Sequence, residues 1–163
     1  MAIRTNRRRQ PDLGPFPVLA GVDKPADMKA VTTARPLPVL ECLRLLKSVP
    51  VGRVAFSRNA MPAVEPVRFA VDRGHIFIAV SLVSALCPVL HHCVVALQAD
   101  SLGDASQSGW TVTVVGNAGE VHDPALTARL RGMGLTSWAA AETDRFMHIS
   151  RGIVTGQRLL ATS

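Results

Sequence analysis

The stretch from Ile76 to Asp100, IFIAVSLVSALCPVLHHCVVALQAD, constrains the fold more than any other feature of the sequence. It runs 25 residues without a lysine or arginine, and its single acid is the closing Asp100. The whole chain, by contrast, carries a formal net charge of +6. A segment so poor in charge belongs in a lipid bilayer, in a protein core, or in a ligand site whose polar residues have been replaced by apolar ones.

The bilayer interpretation fails on length. The longest part without histidine, glutamine or charge covers residues 76–90, which is 15 residues, and Ser81, Ser84 and Pro88 interrupt it. A helix needs about 20 apolar residues to cross a membrane. We therefore predict that this stretch belongs to the protein core, with a strand at 76–78, a short helix or loop over 81–90, and a strand over 93–99. We expect no membrane partner.

The N-terminus and the cysteines indicate a cytoplasmic protein. The basic residues at the N-terminus are not followed by the apolar stretch of a secretory signal. The three cysteines, Cys42, Cys87 and Cys93, form neither an even set nor a CxxC pair. Such cysteines are typical of free thiols in a reducing compartment.

The basic charge is concentrated in an N-terminal arm. Arg4, Arg7, Arg8 and Arg9 supply four of the 18 lysines and arginines, which leaves 14 basic and 12 acidic residues. With 4% aromatic residues and no tyrosine, the chain lacks the stacking residues of a nucleic-acid surface, so a nucleic-acid partner is not expected. Residues 1–35 contain four prolines and no sustained periodicity, which predicts a flexible arm, with one domain over residues 36–163.

Within the domain, apolar periodicity predicts one helix followed by strands. Leu37, Leu40, Leu43 and Leu46 recur at helical spacing, and Pro50 closes this segment. Alternating apolar residues then predict strands, and turn signals at 58–62 and 72–74 predict tight hairpins. A second helix is predicted to begin at the Asp123-Pro124 pair. The last predicted strand has a break at 151–152. The six predicted strands centre on residues 54–56, 64–71, 76–78, 93–99, 110–114 and 145–160.

The words VGRVAFSR, PVRFAVD and GWTVTVVGNAGEV, in this order and spacing, resemble the pyridoxamine 5'-phosphate oxidase-like, FMN-binding split barrels, especially their small actinobacterial branch. The resemblance covers about residues 37–160. It implies a mainly β fold, a six-stranded antiparallel split β-barrel with flanking helices. It also implies a homodimer that binds FMN or a deazaflavin, together with a small-molecule ligand, at the subunit interface.

The same resemblance implies that the cofactor phosphate is held where the third predicted strand ends. That position falls on Ile78, Ala79, Val80, Ser81 and Ser84, a set that contains no cation. Each lost charge-assisted hydrogen bond to a phosphate removes about 1.5–3 kcal/mol. We therefore expect weak cofactor binding, or none.

Further cofactor-binding candidates follow from the resemblance, each beside a simpler structural alternative. Arg68 either supplies the missing positive charge or forms an ion pair with Glu65. Trp110 either contacts the flavin ring or is an ordinary core or dimer-interface residue. Arg158 either approaches the cofactor or partner subunit or is solvated. Val67 and Phe69 flank Arg68 and complete this set.

No catalytic residue and no metal site is predicted. The adjacent His91, His92 and Cys93 would point to opposite faces of a strand, which is unsuitable for holding one ion. The leading hypothesis is a flavin- or deazaflavin-dependent oxidoreductase with a degenerate phosphate site, in which the cofactor carries the redox chemistry. The alternatives are a non-enzymatic dimeric binding or interaction module that has lost flavin binding, and a binder of haem or another apolar ligand.

Overall fold

In the computed structural model, the described part of the chain comprises residues 33–84, 86, 88, 93–102, 108–139 and 144–160. This part forms eight strands and two helices. The strands are β1 (Thr33–Pro36), β2 (Val51–Arg58), β3 (Met61–Asp72), β4 (His75–Val80), β5 (Val94–Leu102), β6 (Gly109–Glu120), β7 (Arg145–Ile149) and β8 (Ile153–Leu160), and the helices are α1 (Val39–Leu46) and α2 (Pro124–Gly132).

Six of these strands close into an antiparallel barrel, as the resemblance implied. The order β6-β5-β2-β3-β4-β7 is continuous, and Ala118–Glu120 of β6 pair with Met147–Ile149 of β7 to complete the ring. The barrel interior is filled by alternating apolar residues, among them Val54, Ile78, Leu97, Val112 and Val114. The charge-free stretch therefore supplies core strands, and no helix of the described residues is long and apolar enough to span a bilayer.

The barrel is split at β6, which changes partner along its length. Residues 109–115 of β6 pair with β8, and β7 takes over from Ala118. At the changeover Ser150 N–H donates to the Asn117 carbonyl at 2.9 Å, and a Cβ on Gly116 would overlap the Ser150 carbonyl. The prediction of one sixth strand over 145–160 is therefore wrong. Its predicted break at 151–152 separates two strands, β7 and β8, which pair with different parts of β6.

Both predicted hairpins form as tight two-residue turns. Arg58 pairs with Met61 across Asn59 and Ala60, whose φ angles are 51° and 62°. Arg73 and Gly74, with φ angles of 47° and 79°, connect β3 to β4. Two consecutive positive φ angles match the right-handed twist of the flanking strands, so these turns fix the register of β2, β3 and β4.

Helix α1 covers the sheet beside β8 and β6. Its buried side chains are Cys42, Leu43, Leu45 and Leu46, which confirms the predicted helix but shifts its apolar face. Leu40 was expected in that face and is instead 83% exposed. At 3.6 residues per turn, Leu40 lies on the side of the helix opposite this buried set, away from the barrel.

Helix α2 packs outside the barrel against β4 and β7. Asp123 caps it by accepting a hydrogen bond from Ala125 N–H at 2.9 Å, and Pro124 occupies the first turn, as predicted. Leu130 and Leu135 bury themselves against Phe77, Ala79 and Phe146 in a second apolar cluster. The side chains of β4 are therefore buried on both faces of the strand.

The predicted arm of residues 1–35 lies mostly outside the described residues. Its last three residues belong to β1, which pairs with β8 from Thr33 opposite Leu160 to Pro36 opposite Gln157. The folded structure therefore begins at least three residues before the predicted domain boundary.

Candidate functional site

A cavity of about 390 Å³ opens where β3, β4 and two connecting segments meet. Its walls come from the middle of β3, the end of β4, the turn that follows β4 and the segment before β7. The described lining residues are Glu65, Pro66, Val67, Ala79, Val80, Ser81, Val83, Ser84, Leu86, Ser137, Trp138 and Ala139. Its volume falls within the range of small-molecule pockets, about 300–1,000 Å³.

The hairpin of β3 and β4 sets the floor of the cavity. Arg68 pairs with Ala79 in the strand register, which brings Val67 and Val80 close together at one end of the barrel. Val67 and Val80 are 3% and 2% exposed, so this floor is rigid and apolar.

The turn after β4 forms the second wall and carries the hydroxyl groups. It is closed by Ser84 N–H donating to the Ser81 carbonyl at 3.0 Å. The Ser84 hydroxyl donates to Glu65 Oε2 at 2.9 Å and accepts from Leu86 N–H at 3.1 Å. Segment 81–90 was predicted as a short helix or a loop, and its described residues form turns.

The third wall is held by a buried carboxylate. Asp144 accepts hydrogen bonds from the backbone N–H and the hydroxyl of Ser137, each at 2.6 Å, and both residues are buried. The indole N–H of the adjacent Trp138 donates to the Pro66 carbonyl at 2.9 Å. These bonds fix an aromatic ring at the mouth of the cavity.

Arg68 does not form the ion pair with Glu65 that the sequence left open. The two side chains lie on opposite faces of β3, since residues 65, 67 and 69 point one way and residue 68 the other. The Arg68 guanidinium instead stacks over the Trp138 ring, 5.2 Å from its centre. It therefore lies at the outer rim, where it supports the aromatic wall.

The structure brings only part of the predicted set together. Val67, Ala79, Val80, Ser81 and Ser84 line the cavity. Ile78 and Phe69 are 0% and 4% exposed and belong to the barrel interior.

Trp110 and Arg158 lie elsewhere on the same chain. They face each other across β6 and β8, which are separated from β3 and β4 in the sheet by β5 and β2. Trp110 is buried in the core, and Arg158 donates to Glu41 Oε1 at 2.6 Å.

Sequence reasoning missed three residues that shape the cavity, namely Glu65, Ser137 and Trp138. Glu65 was considered only as a partner of Arg68. Trp138 is one of two tryptophans in the chain, and its position outside the predicted strands was the available signal. Ser137 had no such signal, because its role depends on a carboxylate seven residues further along.

No metal centre is found among the described residues. His91 and His92, weighed as ligands with Cys93, lie outside that part of the chain. Burial raises the pKa of the Cys42 and Cys93 thiols above its usual value, which disfavours the reactive thiolate form at neutral pH.

With this geometry established, comparison with known proteins identifies the family. The sequence model of the pyridoxamine 5'-phosphate oxidase family matches residues 38–157. The chain belongs to this family. This confirms the resemblance drawn from the sequence, and the match covers both helices and every strand of the barrel.

Individual proteins are also similar to this chain in sequence or in fold. Uncharacterized protein Rv0080 of Mycobacterium tuberculosis is 38% identical over 128 residues, 76% of this chain and 84% of that protein. The FAD binding protein of Mycobacterium smegmatis superposes with a TM-score of 0.66 at 25% identity, covering 78% of this chain and 98% of its own. An FAD-binding protein of Mesorhizobium loti gives a TM-score of 0.65 at 22% identity, covering 78% and 98%, and supports the fold alone.

The cavity fits the ring of a flavin-type cofactor of this family but not its phosphate. A flat, largely apolar ring suits walls made of Val67, Ala79, Val80 and Trp138. A phosphate requires cations or several free donors. The described lining offers no lysine or arginine, and the proton of the Ser84 hydroxyl is already bonded to a carboxylate.

Proposed function

We propose that this protein is a flavin- or deazaflavin-dependent oxidoreductase that holds the ring of its cofactor in the cavity between β3 and β4. The observation that carries the proposal is an apolar, ring-sized cavity with an aromatic wall in a member of this family. Two proteins of the same fold are FAD-binding. The phosphate end of the cofactor would receive little help from the described residues.

The protein's own contribution would be binding and exclusion of water. A bound flavin or deazaflavin would supply hydride transfer to or from a small organic substrate. Val67 and Val80 provide a rigid apolar floor, and the fixed Trp138 ring limits access from one side. The described residues of the cavity include no histidine or cysteine, and its carboxylate, Glu65, accepts a hydrogen bond from Ser84. We assign no catalytic role to these side chains.

We also propose that the working unit is a homodimer in the cytoplasm. Arg158 lies in β8, which does not line the cavity of its own chain, so a second subunit would be needed to bring it to a cavity mouth. Val83 and Trp138, at the cavity, are 91% and 57% exposed. A stable monomer of 17.4 kDa in light scattering would contradict this part of the proposal.

A second function is favoured by one specific observation, the carboxylate of Glu65 within the cavity. A site that repels phosphate suits a non-enzymatic module whose ligand is not a nucleotide-like cofactor. This module would use the same barrel and dimer without redox chemistry.

Titration of the cofactor-free protein with riboflavin, FMN and a deazaflavin separates these two functions. Flavin fluorescence and calorimetric heat would be followed at near-physiological salt. Binding of any of the three at about 10 μM or tighter, near −7 kcal/mol, would support the oxidoreductase. Failure of all three at hundreds of micromolar would favour the non-enzymatic module.

A variant pair ties binding to the cavity. Trp138→Ala removes the exposed aromatic wall and should weaken binding about tenfold or more, in line with the loss of one stacking contact. Met61→Ala, at the exposed start of β3 and outside the cavity lining, should leave affinity unchanged. Equal effects of the two substitutions would place the ligand elsewhere.

A further inference from the structure

The charge of the cavity is opposite to the charge that a phosphate site requires. Among the described residues that line it, Glu65 is the only one with a charged side chain. Glu65 is partly buried, and the residues beside it are mostly apolar. Ion interactions in such surroundings are less screened than in bulk water.

The hydroxyl nearest to Glu65 reinforces this polarity. Ser84 donates its one hydroxyl proton to Glu65 Oε2 at 2.9 Å, while Leu86 N–H donates to the Ser84 oxygen at 3.1 Å. The Ser84 proton could serve a phosphate only if the bond to the carboxylate were broken. The pair therefore presents acceptors, not donors, to a ligand.

No cation of the described chain neutralises Glu65. No lysine or arginine of that part lies within ion-pair distance of its carboxylate, and Arg68, three residues along β3, is on the outer face, stacked on Trp138. The Glu65 carboxylate also has a second oxygen, Oε1, beyond the one that Ser84 occupies.

We propose that Glu65 is a specificity-determining residue that excludes phosphate-bearing ligands from the cavity and selects neutral or cationic ones. The ligand class is therefore a ring compound without a phosphate in the cavity, which could donate a hydrogen bond or present a positive charge to Glu65. The inference rests on the proposed function insofar as the ring belongs to a flavin. Riboflavin and FMN are the matched probes, because they differ only in the phosphate.

The test measures the affinity ratio of riboflavin to FMN in the full-length protein and two variants. In the unaltered protein riboflavin should bind about tenfold more tightly than FMN, because a flavin whose ring occupies this small cavity would bring its phosphate near the Glu65 carboxylate. Glu65→Gln should bring the ratio close to one, and Glu65→Lys should reverse it in favour of FMN. High salt should reduce both preferences.

Asp123→Asn is the matched charge control. It also removes one negative charge but does not line the cavity, and asparagine is as good a helix cap as aspartate. The ratio in this variant should equal that of the unaltered protein.

Failure of this inference differs from failure of the proposed function. Equal affinities for riboflavin and FMN, or an unchanged ratio in Glu65→Gln, would overturn the role of Glu65 while the flavin proposal stood. If neither flavin bound the unaltered protein, the flavin proposal would fall, and the role of Glu65 would be decided by Glu65→Lys alone. That variant should then acquire FMN binding without riboflavin binding, and no gain of FMN binding would overturn the inference.

Discussion

The bond between Asp144 and Ser137 makes a quantitative prediction about the wall of the cavity. Asp144 is 6% exposed and accepts two hydrogen bonds of 2.6 Å from Ser137. Asp144→Asn preserves the shape but turns one acceptor oxygen into an N–H donor that faces another donor. Losing one hydrogen bond to a charged group should lower the free energy of unfolding by about 1.5–3 kcal/mol.

Equilibrium urea unfolding checks this value, with Asp123→Asn as a control that should change stability by less than about 0.5 kcal/mol. Local loosening is read separately by acrylamide quenching, since Trp138 follows Ser137 directly and the other tryptophan, Trp110, is buried in the core. Quenching of the exposed tryptophan should increase in Asp144→Asn. Unfolding and quenching identical to those of the control would refute the reasoning that Asp144 holds this wall.

Three further predictions concern the barrel and its thiols. Ala60→Gly should raise the free energy of unfolding, measured by heat or urea, by up to about 1 kcal/mol. Ala60 has a φ of 62°, a backbone conformation that is strained for alanine and relaxed for glycine. Gly116→Ala should lower the free energy of unfolding by about 1–3 kcal/mol or more, because the added Cβ would overlap the Ser150 carbonyl. Gly132→Ala should not lower it, because a Cβ at Gly132 has no heavy atom within 4 Å. Alkylation of Cys42 in the native protein, followed by mass spectrometry, should be slow at pH 8 because burial raises the pKa of its thiol. The rate should increase only at pH values above the pKa of an ordinary thiol. Rapid labelling at neutral pH would contradict this prediction.

Local signals were sufficient to predict most of the barrel. The two hairpins around β3 follow from Asn59 and Gly74, because only a few residue types adopt positive φ readily, and the strands between them alternate in burial. The cap at Asp123 is equally local. In such places the chain's own short-range chemistry decides the structure.

Features that depend on distant residues were not predictable from the same signals. The break at 151–152 was predicted, but the pairing of the two halves, β7 and β8, with different parts of β6 was not. That pairing depends on β6 changing partner near Gly116, which the pattern of residues 145–160 does not record. Leu40 has helical spacing yet lies outside the buried face of α1. Periodicity identifies a helix but does not fix which of its faces contacts the sheet.

The candidate site illustrates the same limit with greater functional weight. From the sequence, the end of β4 looked like a phosphate site that had lost its cations and become neutral. Folding places Glu65, from the neighbouring strand, beside Ser84 and thereby makes the site acidic. A neutral site that has only lost its cations would bind phosphate weakly, whereas a site with a carboxylate in the same space would repel phosphate. The sequence and the folded structure therefore predict different ligands.

This acidic character is separable from the stability of the fold. The barrel interior and the cluster under α2 are apolar, and neither contains Glu65 or Ser84. A change of charge at Glu65 can therefore alter which ligand binds without removing any of the burial that closes the barrel. Strand pairing and core packing hold the barrel together and leave the end of β4 free to diverge. This chain can therefore keep the complete barrel while the described lining of its cavity carries a carboxylate and no lysine or arginine.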